Sequence, residues 1–146
     1  SEGKYIAELG TKYPSSKYKD IITVDNVNNR DHHIHMNGRE VFKHAVKRFP
    51  EVIIEGLEYN NLKLDDVSLV IPHQANLRIT QAVQRKLDIP DDKIFSNIHK
   101  YGNTTAASVG IALCEALDQN RINKGDIVVL VAFGAGFQWG SVIVKW

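Results

Sequence analysis

A chain of 146 residues, 43% of them hydrophobic, suits one domain able to bury roughly two-thirds of the surface that its unfolded form exposes. Charged residues at 24%, together with five Phe, five Tyr and two Trp, exclude global disorder. A net charge of +1 supplies no overall field for nucleic acid or a membrane surface, and a single Cys, offering neither disulfide nor zinc framework, favours a reducing compartment.

The chain opens Ser1-Glu2-Gly3-Lys4, with no Met and no apolar signal core, and reads as a cut piece of a longer one. Lys4 to Tyr13 alternates weakly through Tyr5, Ala7 and Leu9, the pattern of an edge or linking strand. Pro14 to Asn37 is polar and irregular, a long loop with one short strand expected at Ile21–Val24. After Gly38 the pattern changes. Val41, Phe42, Ala45, Val46, Phe49, Val52, Ile53, Gly56 and Leu57 recur at helical spacing, and Pro50 inside that run should kink the helix. Residues 1–37 therefore read as a linking strand and loop, and 38–146 as the domain proper.

Val67 to Ile71 predicts a strand ended by Pro72, and Gln74 to Leu87 a helix. Ile94 to Ile98 predicts a second short strand, and Thr104 to Gln119 a second helix. Ile127–Phe133 is the most strand-like segment, and a Gly-rich turn leads to a last strand over Ser141–Trp146. Ile127 to Val144 carries no charge over 18 residues, the length at which a membrane span is considered. Gly134, Gly136, Gln138, Gly140 and Ser141 interrupt it, so two buried strands and a turn are expected instead of a span. Strands alternating with helices imply an α/β fold with a mostly parallel sheet and an antiparallel last strand.

In open parallel sheets, ligands bind beyond the carboxyl ends of the strands. Three loops are expected on that rim: Pro72–Asn76, Tyr101–Thr104 and Phe133–Gly136. They would bring the His73 imidazole, the Asn103 carboxamide and backbone N–H groups within reach of one ligand. Plainer roles compete, since His73 suits a turn, Asn103 a helix cap, and Gly134-Ala135-Gly136 a hairpin. That glycine turn precedes no helix, which argues against a dinucleotide site. His32, His33 and His35 have no acidic or Cys partners at ligand spacing, so no metal site is expected. Lys43, Lys47, Arg48, Arg78, Arg85 and Lys86 form either a solvated face or a dock for an acidic partner. Cys114 lies mid-helix, and a buried packing role is expected for it.

Pro72-His73-Gln74-Ala75-Asn76-Leu77-Arg78, Gly102-Asn103-Thr104-Thr105-Ala106-Ala107-Ser108 and Phe133-Gly134-Ala135-Gly136-Phe137-Gln138-Trp139-Gly140 resemble the C-terminal half of β-ketoacyl-acyl carrier protein synthase III. His35-Met36-Asn37-Gly38-Arg39-Glu40-Val41-Phe42-Lys43 resembles the start of that half. The resemblance is good over about residues 34–146 and loose over 1–33. It implies one half of a thiolase-like fold with helices on both faces of the sheet, residues 38–146 forming its C-terminal domain. It also implies decarboxylative condensation of an acyl group, taken from acyl-CoA, with malonyl-acyl carrier protein at the start of fatty acid synthesis.

His73 and Asn103 match the family's catalytic His and Asn. The acylated Cys belongs to the other half, so this chain alone is expected to be inactive. Ala135 matches the backbone N–H of an oxyanion site, and Phe42 and Asn76 match the substrate channel. Lys43, Arg78, Arg85 and Lys86 match the patch that docks the carrier protein. The resemblance further implies no cofactor beyond acyl-CoA as substrate, a cytoplasmic location, a missing N-terminal half and a homodimeric full-length enzyme. Partnership with nucleic acid or membrane is not expected. A specialised-metabolite synthase of the same family and a non-catalytic partner half are the competing readings.

Overall fold

The structure, a computed structural model, describes residues 1–13 and 22–146. They form two compact units, Ser1–Lys43 with Gly134–Gln138, and His44–Phe133 with Trp139–Trp146. In the first unit, strand β1 (Leu9–Gly10) pairs antiparallel with β2 (His35–Met36), Leu9 opposite Met36 and Gly10 opposite His35. The strand expected across Lys4–Tyr13 thus shrinks to two residues, preceded by a 3-10 turn at Gly3–Tyr5. Tyr5 stacks on Phe137 with ring centroids 5.1 Å apart, and Glu2 and Phe137 exchange backbone hydrogen bonds of 2.8 and 3.0 Å.

The irregular stretch before β2 contains a short helix, α1 (Val24–Asn28). Thr23 caps it: the Thr23 hydroxyl accepts from Asn26 N at 3.2 Å, and Thr23 N donates to Asn26 Oδ1 at 3.0 Å. This reciprocal box satisfies two N-terminal donors without needing an apolar face. The strand expected at Ile21–Val24 gives way at Val24 to this helix, and Ile21 itself lies outside the described residues.

Helix α2 (Gly38–Tyr59) begins in the first unit and contributes most of its length to the second. It runs unbroken through the buried Pro50, and it buries Ala45, Phe49, Val52, Ile53 and Leu57 as its apolar spacing predicts. Strand β3 (Leu69–Pro72) is buried at every position. It pairs in parallel with β4 (Ile127–Gly134), Leu69 opposite Val128 and Pro72 opposite Val131. β5 (Gln138–Lys145) completes the order β3-β4-β5. Only three residues separate β4 from β5, which makes this last pair antiparallel. The uncharged stretch is therefore a hairpin, and no helix of the described residues is long and apolar enough to cross a membrane.

Three helices connect the parallel strands: α3 (Leu77–Leu87), α4 (Ile98–Tyr101) and α5 (Ala107–Asp118). The pleat of β4 divides their work. Val128 packs with Leu69, Ile71, Phe95, Ala112 and Ala116, so α5 covers that face. Phe133, five residues on and hence on the opposite face, meets Phe49 of α2 at 6.5 Å between ring centroids. Helices lie on both faces. The strand expected over Ile94–Ile98 is reduced to one parallel bridge between Val70 and Ile94, with Phe95 N donating to Val70 O at 2.9 Å. Beyond it the chain turns into α4.

Candidate functional site

β3 leaves its ladder at His73, whose N–H still donates to Val131 O at 2.7 Å. The next residue fixes the exit. Gln74 is only 2% exposed, and its Nε2 donates to Pro72 O at 2.6 Å and to Phe95 O at 3.4 Å. Its Oε1 accepts from Ser96 Oγ at 2.8 Å and Asn97 N at 3.2 Å. A buried amide satisfied at both ends ties the His73 loop to the segment that enters α4. His73 is half-buried, with Nδ1 2.5 Å from Ser108 Oγ, and Gln74 N donates to that same hydroxyl at 3.1 Å. Burial pushes the His73 pKa below its ordinary value, which keeps the imidazole neutral at pH 7.

Asn103 arrives by a different device. Gly102 ends α4 at φ 65°, ψ −157°, a conformation that a side chain would strain, and the chain turns sharply there. Asn103 Oδ1 then accepts from Thr105 N at 2.8 Å. Thr105 itself has φ 52°, left-handed and uncommon for a β-branched residue, a strain of order 1–3 kcal/mol of the kind that gathers at functional loops. Ser108 N donates to Thr105 O at 3.2 Å. A continuous hydrogen-bonded path therefore runs from His73 through Ser108 and Thr105 to Asn103. Behind it, Glu115 of α5 accepts from Asn97 Nδ2 at 2.9 Å, pairs with Lys100 of α4 and accepts from Gln119 at 3.1 Å. The Lys100 ammonium first, and the Asn97 amide after it, hold the Glu115 carboxyl below the usual carboxylate range.

The path presents a neutral imidazole and a carboxamide whose oxygen is already engaged, leaving the NH2 group as the donor. Such a pair can hold an oxygen that gains negative charge. Asn76 caps α3, its Oδ1 accepting from Arg78 N at 2.9 Å. Arg78 is exposed in the first turn of α3, and Arg85 and Lys86 are exposed in the last. In the first unit, Phe42 is 38% exposed and Lys43 pairs with Glu40 at 3.7 Å. Ala135 is exposed in the turn between β4 and β5.

Cys114 requires a correction. It is exposed, not a buried packing residue, because the buried Ala112 and Ala116 lie on the opposite side of α5. His32 and His33 pack edge to face at 4.4 Å, and no group of three His, Cys, Asp or Glu among the described residues is arranged to hold a metal. Gln74, Ser108 and Glu115 hold the loops, yet sequence reasoning assigned them no role. The available signal was a polar residue at a buried helical position, as with Ser108 four residues before Ala112.

Comparison with known proteins shows what the chain is similar to. The family model described as 3-Oxoacyl-[acyl-carrier-protein (ACP)] synthase III C terminal matches residues 57–146. The beta-ketoacyl-[acyl-carrier-protein] synthase III of Roseiflexus sp. (strain RS-1) is 49% identical over 114 residues, covering 78% of this chain and 35% of that protein. The synthase III of Bacillus pumilus (strain SAFR-032) is 43% identical, covering 100% of this chain and 45% of its own length. The crystal structure of 3-oxoacyl-[acyl-carrier-protein] synthase III from Aquifex aeolicus VF5 superposes with a TM-score of 0.85 at 42% identity, over all of this chain and 42% of that one. The chain spans less than half the length of these relatives.

Proposed function

The chain belongs to the 3-oxoacyl-[acyl-carrier-protein] synthase III family, and from that premise we propose that it is the C-terminal catalytic half of such a synthase. The reaction condenses an acyl group, delivered by acyl-CoA, with malonyl-acyl carrier protein, and carbon dioxide leaves. Loss of carbon dioxide puts an electron pair onto the malonyl thioester, where it spreads to the carbonyl oxygen as an enolate. His73 and Asn103 each donate one N–H to that oxygen. Both are neutral, so neither repels the growing charge as a carboxylate would. The carbon end of the enolate attacks the acyl thioester on a Cys of the other half, and that Cys leaves as thiolate.

One observation carries this reading: the hydrogen-bonded path that fixes a neutral imidazole and an oxygen-engaged carboxamide at successive loops. In the same reading Ala135 N–H serves the oxyanion of the acylation step, Phe42 and Asn76 line the substrate channel, and Lys43, Arg78, Arg85 and Lys86 dock the acidic carrier protein. Residues 1–37 form the linking segment and 38–146 the C-terminal domain. No cofactor enters the reaction; the full-length enzyme is a cytoplasmic homodimer, and this chain by itself is inactive.

In an enzyme completed with its Cys-bearing half, His73→Ala and Asn103→Ala should each slow malonyl decarboxylation by on the order of 10²–10³. Acylation by acyl-CoA should change far less. Equal loss in both half-reactions would refute the enolate assignment.

A further inference from the structure

We infer that Ser108 is a positioning residue that fixes His73 as the Nε2–H tautomer by donating its hydroxyl proton to Nδ1. The inference rests on the reading of His73 as an enolate donor and adds which ring nitrogen presents the proton and what holds it there. A serine hydroxyl has one proton and two acceptor positions. Gln74 N–H occupies one acceptor position at 3.1 Å, and His73 Nδ1 lies 2.5 Å away. Were Nδ1 protonated, the oxygen would accept twice and its own proton would need another acceptor. Among the described residues Ser108 Oγ has no hydrogen-bond partner other than Gln74 N and His73 Nδ1, and Ser108 is only 1% exposed. A buried hydroxyl proton left unpaired is costly. The proton therefore points at Nδ1, which must be the unprotonated nitrogen of a neutral ring.

The consequence is geometric. Nδ1 faces the start of α5, and Nε2, on the far side of the ring, carries the N–H away from it. Ser108 also ties that ring to the Asn103 loop through its own N–H to Thr105 O at 3.2 Å, so one residue holds both donors. Holding an imidazole in its productive tautomer is known to matter greatly in other catalytic sites.

The primary test is 15N NMR of the isotope-labelled chain near pH 7, which reads the tautomer without any substrate or partner. His73 should show a protonated Nε2 and an unprotonated Nδ1, and Ser108→Ala should move the ring toward a mixture of tautomers. A protonated Nδ1 in the unmodified protein, or an unchanged tautomer in Ser108→Ala, overturns the inference; the first of these needs no variant to fold. In the completed enzyme, Ser108→Ala should slow malonyl decarboxylation by about 10–100-fold, the loss that follows removal of the partner orienting a metal-ligating histidine. Acylation should be spared, and unchanged decarboxylation beside a crippled His73→Ala also overturns the inference. If His73→Ala decarboxylates normally, the reaction reading fails instead, while the NMR result still decides the tautomer.

Discussion

Burial of His73 has a consequence that needs no substrate. The unfolded chain takes up the His73 proton near the ordinary value of 6.5, and the folded chain only at lower pH. Between those two values the unfolded state binds more protons, so folding stability is full above 6.5 and is lost as pH falls through the folded value. Moving from about pH 7.5 to about pH 5.5 should lower the urea midpoint more in the unmodified chain than in His73→Gln. Identical shifts would show that His73 titrates as though exposed. The basic residues of α3 separate by the same local reasoning. Arg85 and Lys86 sit in its last turn, where the helix dipole favours a cation, and they need no partner to explain them. Arg78 sits in the first turn, which has no acidic residue, where a cation is disfavoured by about 0.3–1 kcal/mol. Arg78→Glu should therefore leave the fold intact or slightly firmer. If Arg78 docks the carrier protein, the variant should lose carrier-protein turnover more than CoA-substrate turnover, and added salt should narrow the gap. A salt-independent defect would make Arg78 a structural residue.

At the scale of elements, α2 and β5 meet at a residue with no side chain, Gly56. A Cβ on Gly56 would stand 2.6 Å from Ser141 Oγ and 3.4 Å from Ile143 Cδ1. Ser141 Oγ already donates to Val52 O at 2.7 Å, so it cannot rotate away without losing that bond. Gly56→Ala gains about 1 kcal/mol of helix propensity. Against this stand about 1–3 kcal/mol of overpacking and about 1 kcal/mol for the displaced hydrogen bond. The net change should be destabilising by about 1–3 kcal/mol in denaturant unfolding, and Ser141→Ala in the same chain should recover part of it. An undiminished midpoint in Gly56→Ala would mean that helix and strand can separate freely. The long apolar spacing that brings α2 to this contact was legible in the sequence, as were α3, α5, β3 and the β4–β5 hairpin, because periodicity survives a shift of a few residues at either end. Ile94–Ile98 misled because its buried Phe95 resembles a strand residue. The Gln74 side chain takes Phe95 O and Asn97 N, so a side-chain amide stands where a second strand would pair. α1 was hidden for the opposite reason: its start depends on the reciprocal capping of Thr23 and Asn26, and it buries no residue. Cys114 was misplaced because α5 is apolar nearly all round, so no polar face tells which side lies open. His73 and Asn103 could be read as candidates from their loops, whereas Ser108, among alanines, disclosed its role only through its hydrogen bonds.

At the scale of the molecule, the proposed chemistry needs a thiolate that this chain does not place. The sequence contains one Cys, and Cys114 stands exposed in the second half of α5. Activated cysteines lie at helix N-termini or beside a cation or histidine, where the thiolate is stabilised. The imidazole that the structure does fix, His73, is engaged with Ser108 at the beginning of the same helix, about 9 Å along the axis from Cys114. On the proposed reading, this chain supplies the enolate donors and the other half supplies the group that carries the acyl chain. Incubated alone with radiolabelled acetyl-CoA, it should retain no protein-bound thioester and release no condensation product when malonyl-acyl carrier protein is added. Adding a Cys-bearing N-terminal half from a relative should restore labelling on that half, and product should then depend on His73 and Asn103 of this chain. Label on Cys114 followed by product in the absence of any second half would place the nucleophile here and overturn the division of labour between the halves.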